Sequence, residues 1–241
     1  MVISIYDPDL FGEFEDLIEL YPEAILDLVG GSFSAGTLSG FITIEFLSLI
    51  WLWVGIYIIL KASQDIPTAI DNKSIDLILS KPIQRWHFAL GKHVTYIIQM
   101  LFSFALMFLT IALFSALLPN LQDVSINWKE YVLTFAWAFV FCISLESTAF
   151  FFSTFMPRKK ASGISFAVFA LFFVIGTFYE YFDESLHDMR FFSVFQYYDP
   201  ARIMVEHVFK NVGRDFGILI GYSAVVTISA LAIFEKRDIP V

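Results

Sequence analysis

The 241-residue chain is 58 % hydrophobic, contains 29 phenylalanines and has a mean hydropathy of +0.71, while only 16 % of its residues are charged. The apolar share is too high and the charged share too low for a soluble domain, so the composition excludes that class. The formal net charge is −9, which makes basic segments the exception in this chain. A protein of this composition resides in a bilayer.

The N-terminal segment, residues 1–39, carries eight acids and no Lys or Arg. Its apolar residues recur near helical spacing among these acids, a pattern that predicts one or two short helices lying on a membrane surface. A negative face of this kind attracts cationic cargo or is simply solvated. Since the positive-inside rule keeps Lys and Arg in the cytoplasm, we expect this acidic segment outside the cell.

Five stretches are long and apolar enough to cross a membrane as helices, since a span needs about 20 mainly apolar residues. They cover approximately residues 40–61, 90–118, 131–156, 161–178 and 216–234. The chain is therefore predicted to be an all-α membrane protein that forms a single domain over residues 1–241.

A basic, amphipathic loop over residues 62–89 follows the first stretch. Between Lys61 and Lys92 the chain carries five basic residues, which places this loop in the cytoplasm and gives an N-out, C-in topology. The segment 179–215 contains four basic residues but also seven acids, and it opposes this assignment only weakly. Pro82 ends a short helix predicted around residues 71–80, because the residue before proline disfavours the helical conformation.

Glu146 falls near the middle of the third stretch, where an ionised carboxylate is costly. It is flanked by Ser144, Ser147 and Thr148, which supply hydrogen-bonding partners or a polar route. Two interpretations stay open: these residues line a translocation path, or Glu146 is a neutral carboxyl group that holds helices together.

Catalytic and metal-binding motifs are not evident in the sequence. The histidines His87, His93, His187 and His207 are assigned to loops, where a structural or solvated role is expected for each. With no histidine assigned to a span, Glu146 has no catalytic partner. We therefore expect no catalytic residue, no metal site and no cofactor in this chain.

Residues 74–85 read Ser-Ile-Asp-Leu-Ile-Leu-Ser-Lys-Pro-Ile-Gln-Arg, and Gly-Lys follows at 91–92. This run resembles the intracellular loop of permease subunits of ABC-type-2 transporters, in which a Gly-Thr pair is usual where Ser74 and Ile75 stand here. The basic turn at 153–161, the Tyr-Tyr-Asp-Pro at 197–200 and the terminus at 234–241 are similar to segments of the same family. The family's first span has no counterpart, so we expect the natural protein to begin further upstream and to have six spans.

The resemblance implies the transmembrane subunit of an ATP-driven transporter in the plasma membrane, expected to export a hydrophobic or amphipathic substrate. A separate cytoplasmic ATPase subunit would bind ATP and Mg²⁺ and would seat the helix around 71–80, which acts as a coupling helix. A second permease copy or a related permease would complete the path, and no nucleic-acid partner is expected. The implied ATPase contacts are Asp71, Ser74, Asp76, Leu77, Leu79, Lys81, Pro82 and Arg85.

The resemblance further implies short helices in the external loop 179–215 that dip into the outer leaflet and close the exit. The residues expected to form this gate are Phe191, Phe192, Tyr197 and Tyr198. The alternative function is that of a non-transporting membrane anchor or assembly factor.

Overall fold

The computed structural model of the protein describes residues 37–75, 84–117 and 126–237. These residues are 86 % helical and contain no β-strand, and five of their helices are long and apolar enough to cross a membrane. The prediction of an all-α protein with five membrane-length helices is confirmed. The helices are α1 Leu38–Asp71, α2 Arg85–Leu117, α3 Trp128–Ser153, α4 Arg158–Thr177 and α5 Val212–Lys236.

Helix α3 forms the centre of the bundle. Of the most apolar 18-residue stretch of each helix, 67 % is buried inside the protein in α3, against 17 % in α2 and in α5. The side chains of Trp137, Phe141 and Phe150 on α3 are almost fully buried. A helix that is apolar all round must be covered on every side, and α1, α2, α4 and α5 pack around it. The outer helices leave large apolar side chains such as Phe102 and Ile228 exposed. Faces of this kind suit contact with lipid tails.

Helix α1 corrects the predicted loop over residues 62–89. The helix continues ten residues past the predicted end of the span, to Asp71, and α2 begins at Arg85, so residues 62–71 and 85–89 of the predicted loop are helical. The buried residues Ala62, Ile66 and Ala69 recur at helical spacing on one face, and this burial outweighs the charges on the opposite face. Two turns of α1, Thr43–Ser48 and Trp51–Gly55, are π-helical.

Successive long helices run antiparallel, so the C-termini of α1, α3 and α5 share one end of the bundle with the N-termini of α2 and α4. We call this the basic end. Polar contacts join its helices: Lys92 lies 3.3 Å from Asp65, and Arg158 donates a hydrogen bond of 3.0 Å to Gln64. The end of α1 and the start of α2, which flank the predicted coupling helix, therefore lie at the same end as the basic turn before α4.

The segment between α4 and α5 consists of short helices, as predicted. Three 3₁₀ helices span Tyr179–Tyr181, Glu184–Phe192 and Val194–Tyr197, and one turn of α-helix spans Ala201–Met204. Ser193 packs closely on Gly176 of α4: a Cβ atom added to Gly176 would lie 2.5 Å from Oγ of Ser193. The Tyr198 hydroxyl donates to the Leu47 carbonyl over 2.9 Å. The segment is therefore held against both α1 and α4.

Candidate functional site

Glu146 lies at the centre of a buried polar cluster. Its side chain has no exposed surface, and its Oε2 lies 2.8 Å from Nδ1 of His93, whose side chain is 7 % exposed. The assignment of His93 to a loop is therefore wrong: it belongs to α2, eight residues after Arg85, and faces the interior. His93 also falls inside the predicted span 90–118, and this position was the sequence signal that assigns it to a helix.

Thr227 of α5 completes this cluster. Its Oγ1 lies 3.3 Å from Nε2 of His93 and donates to Oγ of Ser147 over 3.3 Å. The 2.8 Å contact between Nδ1 of His93 and Oε2 of Glu146 is short, but the ring N–H is not aligned for a hydrogen bond with the carboxyl group. We define the polar cluster as Glu146, His93, Ser147 and Thr227. It joins α2, α3 and α5 at one depth.

The other two predicted path residues lie beside the cluster without joining it. Ser144 donates to the Phe141 carbonyl over 2.6 Å, and Thr148 lies 2.8 Å from the Tyr222 hydroxyl of α5. All four predicted residues are buried by the chain itself. The structure thus brings Glu146 and Ser147 together with His93, which sequence reasoning did not select for this site.

A second set of contacts closes the basic end. The guanidinium of Arg85 donates to the carbonyl of Arg237, and the Trp86 backbone N–H donates to the Glu235 carboxylate over 2.8 Å. Arg237 in turn donates to the Thr154 carbonyl over 2.8 Å. Partial burial lowers the pKa of the Arg237 guanidinium from its ordinary value. The start of α2 is therefore tied to the ends of α5 and α3.

Three of the eight predicted ATPase contacts lie in the described residues. Asp71 ends α1 and is exposed, Ser74 is exposed and its hydroxyl donates to the Ala69 carbonyl over 3.1 Å, and Arg85 is half-buried. The remaining five, Asp76, Leu77, Leu79, Lys81 and Pro82, lie outside the described residues.

At the opposite end, the four predicted gate residues have different environments. Phe191 and Phe192 are exposed, and the Tyr197 hydroxyl donates to the Phe191 carbonyl over 2.8 Å. Tyr198 stacks on Phe141 of α3, with ring centroids 4.4 Å apart and planes 8° from parallel. Burial raises the pKa of the Tyr198 phenol well above its ordinary value, so this hydroxyl stays neutral. Of the four, Tyr197 and Tyr198 pack against the bundle core, and Tyr198 does so by ring stacking.

Arg202 contacts two carboxylates next to the predicted gate residues. Its Nη1 lies 3.1 Å from Asp215, and its Nε lies 3.6 Å from Asp199. Burial raises the pKa of Asp199, and the charge of Arg202 acts in the opposite direction. A further pair, 3.0 Å between Nδ1 of His207 and Oε1 of Glu130, ties the start of α3 to the residues before α5. No local sequence pattern indicates this pair, because its members are 77 residues apart.

Five membrane-length helices around a buried polar cluster define a multi-pass integral membrane protein. The sequence matches the family described as ABC-2 family transporter protein over residues 14–239. The chain belongs to this family, which confirms the resemblance. Members are membrane subunits of transporters, typically not catalytic, and membership implies association with an ATPase subunit. Neither curated proteins nor solved structures give a significant match to the chain.

Proposed function

We propose that this chain is the transmembrane subunit of an ATP-driven exporter of a hydrophobic or amphipathic substrate, coupled to a separate ATPase subunit through the segment 71–85. The observation that carries the proposal is the set of contacts at the basic end. A cytoplasmic subunit that moves this segment would pull on Arg85 and Trp86 and, through Arg237, on the ends of α3 and α5. Rigid-body motion of helices is a known route between alternate states of a membrane protein.

The distribution of charge supports a cytoplasmic location for the basic end. The basic residues Arg158, Lys159 and Lys160 begin α4 there, and Lys236 and Arg237 end α5 there. The opposite end holds the segment 179–215, in which seven acids outnumber four basic residues. The positive-inside rule favours the basic end in the cytoplasm, where an ATPase subunit finds its nucleotide.

The predicted path residues have two roles in the proposed transport cycle. Ser144, Ser147, Thr148 and Glu146 are enclosed by the same chain, so in this conformation they act first as contacts between helices. Separation of α2 from α3 would break the pair between His93 and Glu146 and would expose a carboxylate and an imidazole to the path. Both interpretations of Glu146 therefore belong to one cycle: it holds helices together when closed and lines the path when open.

The exposed apolar faces suit the proposed second permease. Large side chains on α2, among them Phe102, Leu109 and Leu117, are more than half exposed in the single chain. Within a bilayer such faces contact lipid or another helical subunit. A second copy or a related permease packed on the bundle would enclose a path between the two chains.

Purification in mild detergent tests the proposal directly. We expect an ATP-binding subunit to copurify with the full chain and its ATP hydrolysis to be stimulated by the permease. Arg85→Gln should lower both recovery and stimulation without changing the melting of the helices, because it removes a contact of the loop and leaves the apolar core intact. Purified complexes without any ATPase would contradict the proposal and favour the anchor or assembly factor.

Two neighbouring basic residues at the end of α5 allow a controlled test of the coupling between the ATPase subunit and the helices. Arg237→Gln removes the contact with the Thr154 carbonyl, a charge-assisted hydrogen bond worth about 1.5–3 kcal/mol. Lys236→Gln removes the same charge from an exposed side chain. We expect lower ATPase stimulation for the first variant and wild-type stimulation for the second. Equal losses would show that charge, and not the tie between α5 and α3, is what the ATPase senses.

A further inference from the structure

A cavity of about 290 Å³ lies at the end of the bundle opposite the basic end. It is enclosed by α1, by the last turn of α4 and by the segment that follows α4. Aromatic side chains from all three elements line it: Trp51, Phe173, Tyr179, Phe195 and Tyr198. The rings are packed together, with Trp51 and Phe173 4.2 Å apart and Phe173 and Phe195 5.4 Å apart. The wall is therefore a preformed aromatic surface.

The charges at this cavity leave one carboxylate without a basic partner in its lining. Arg202 lines the cavity but is shared between Asp199 and Asp215, as described above. Glu180 accepts a hydrogen bond of 2.8 Å from the Tyr179 hydroxyl and is otherwise exposed. Arg190 stacks over the Tyr179 ring at 4.5 Å, so the rim already holds one cation on an aromatic face. The charged residues of the lining, Glu180, Asp199 and Arg202, carry a summed formal charge of −1.

Two lining residues carry buried oxygens that have no hydrogen-bond partner in the part of the chain that the structure describes. These are Oγ of Ser48 and Oε1 of Gln196. Buried polar atoms in native proteins are almost always paired, so an unpaired oxygen on a residue that lines a cavity indicates a partner that a small rotation of the side chain would bring within reach. Ser48 ends the first π-helical turn of α1, and irregular turns of this type recur at functional sites.

We propose that this cavity binds an organic ammonium group, either a free amine or the head group of an amphiphile. Aromatic faces attract a cation, Glu180 supplies the opposite charge, and the oxygens of Ser48 and Gln196 accept N–H bonds. A primary ammonium carries three donors and no acceptor, which matches this set. The site does not depend on coupling to ATP, so it goes beyond the proposed function and can fail without affecting it.

Binding of n-butylammonium to the full chain in uncharged detergent micelles tests the site. Saturation-transfer NMR of the probe gives its apparent affinity, and 1-butanol is the neutral probe of nearly the same shape. We expect the cation to bind more tightly than the alcohol. Because a cation–π contact is worth about 0.5–2 kcal/mol, Trp51→Leu should weaken binding by about 2-fold to 30-fold. Hexylammonium then separates the two sources: tighter binding than butylammonium indicates an amphiphile, and equal binding indicates a free amine.

Glu180→Gln provides the variant least at risk of misfolding, because this side chain is exposed. We expect it to weaken n-butylammonium binding by about threefold or more and to leave 1-butanol unchanged. Glu184→Gln is the matched control, with the same change of charge in the same segment but outside the cavity lining. Equal affinity for cation and alcohol, or equal losses in the two glutamate variants, would overturn the proposal.

Discussion

Two carboxylate–histidine pairs of similar length occupy different environments in this protein. Glu146 and His93 are 2.8 Å apart in the middle of the bundle, with side chains 0 % and 7 % exposed. Glu130 and His207 are 3.0 Å apart near one end of the bundle, and His207 is 64 % exposed. Water reaches the histidine of the second pair, although the Glu130 side chain is only 6 % exposed, and it is kept away from both members of the first pair. The same two side-chain types are therefore closed off from water on both sides in one pair and on the carboxylate side alone in the other.

Removal of His93 should have the largest effect. His93→Ala leaves the Glu146 carboxylate buried without its partner, and we expect a loss of about 3–5 kcal/mol of unfolding free energy in detergent. The double variant His93→Leu, Glu146→Leu removes both polar groups and should recover most of this loss. If the double variant is as unstable as the single one, the cost arises from packing of the α2 helix and the buried-charge explanation fails.

Glu146→Gln should have a smaller effect on stability, because the amide keeps the shape and hydrogen-bonding capacity of the side chain while losing its charge. We expect about 1–3 kcal/mol, measured by thermal unfolding. Transport separates the two roles of Glu146. Lost transport with a folded complex shows that its charge acts in the path, whereas near-normal transport shows that it only joins helices.

Thr227→Val tests the third member of the polar cluster. The change removes the hydroxyl that lies between His93 and Ser147 at nearly constant volume, and we expect a loss of about 0.5–1.5 kcal/mol. Ser229→Ala on the same helix is a suitable control, since this residue is half-buried outside the cluster and its hydroxyl donates to the helix's own Val225 carbonyl. A loss for Thr227→Val no larger than for the control would remove α5 from the cluster.

His207→Asn should have the smallest effect, below about 1 kcal/mol, because the imidazole that is replaced is itself exposed and the asparagine amide can still donate a hydrogen bond to the Glu130 carboxylate. Asparagine tolerates the left-handed conformation that His207 adopts, with φ of 56°, so the backbone is not a second cause of instability. Chemical denaturation of the two proteins measures the difference. A loss larger than that of Thr227→Val would show that exposure does not distinguish the two pairs.

Hydropathy predicted the five long helices because each is long enough to dominate a window of about 20 residues. It placed the end of α1 ten residues early, since charges such as Lys61 and Asp65 interrupt the apolar run while one face stays buried. The helical spacing of apolar residues over residues 62–69 was the sequence signal that predicts the longer helix. Local patterns thus predict which segments are helical better than they predict where an amphipathic helix ends.

The polar cluster and the cavity depend on contacts that no local pattern contains. Glu146 was predicted as a costly residue, yet its partner His93 lies 53 positions earlier, and the depth at which α2 meets α3 is set by packing. A single sequence also cannot show that Trp51 and Phe195, 144 residues apart, share one wall. The sequence does show a histidine within one apolar stretch and a single carboxylate near the middle of another. These two features would have allowed the pair to be predicted.

The two π-helical turns of α1 make its two halves sensitive to chain length. Each residue added to or removed from an α-helix turns everything beyond it by about 100°. The turns 43–48 and 51–55 let the first half of α1 present Ser48 and Trp51 to the cavity while the second half keeps Ala62 and Ile66 buried. A one-codon deletion between residues 43 and 55 would therefore turn these two halves out of phase, although every remaining residue is unchanged. Substitutions in this part of the protein should be tolerated far better than insertions or deletions.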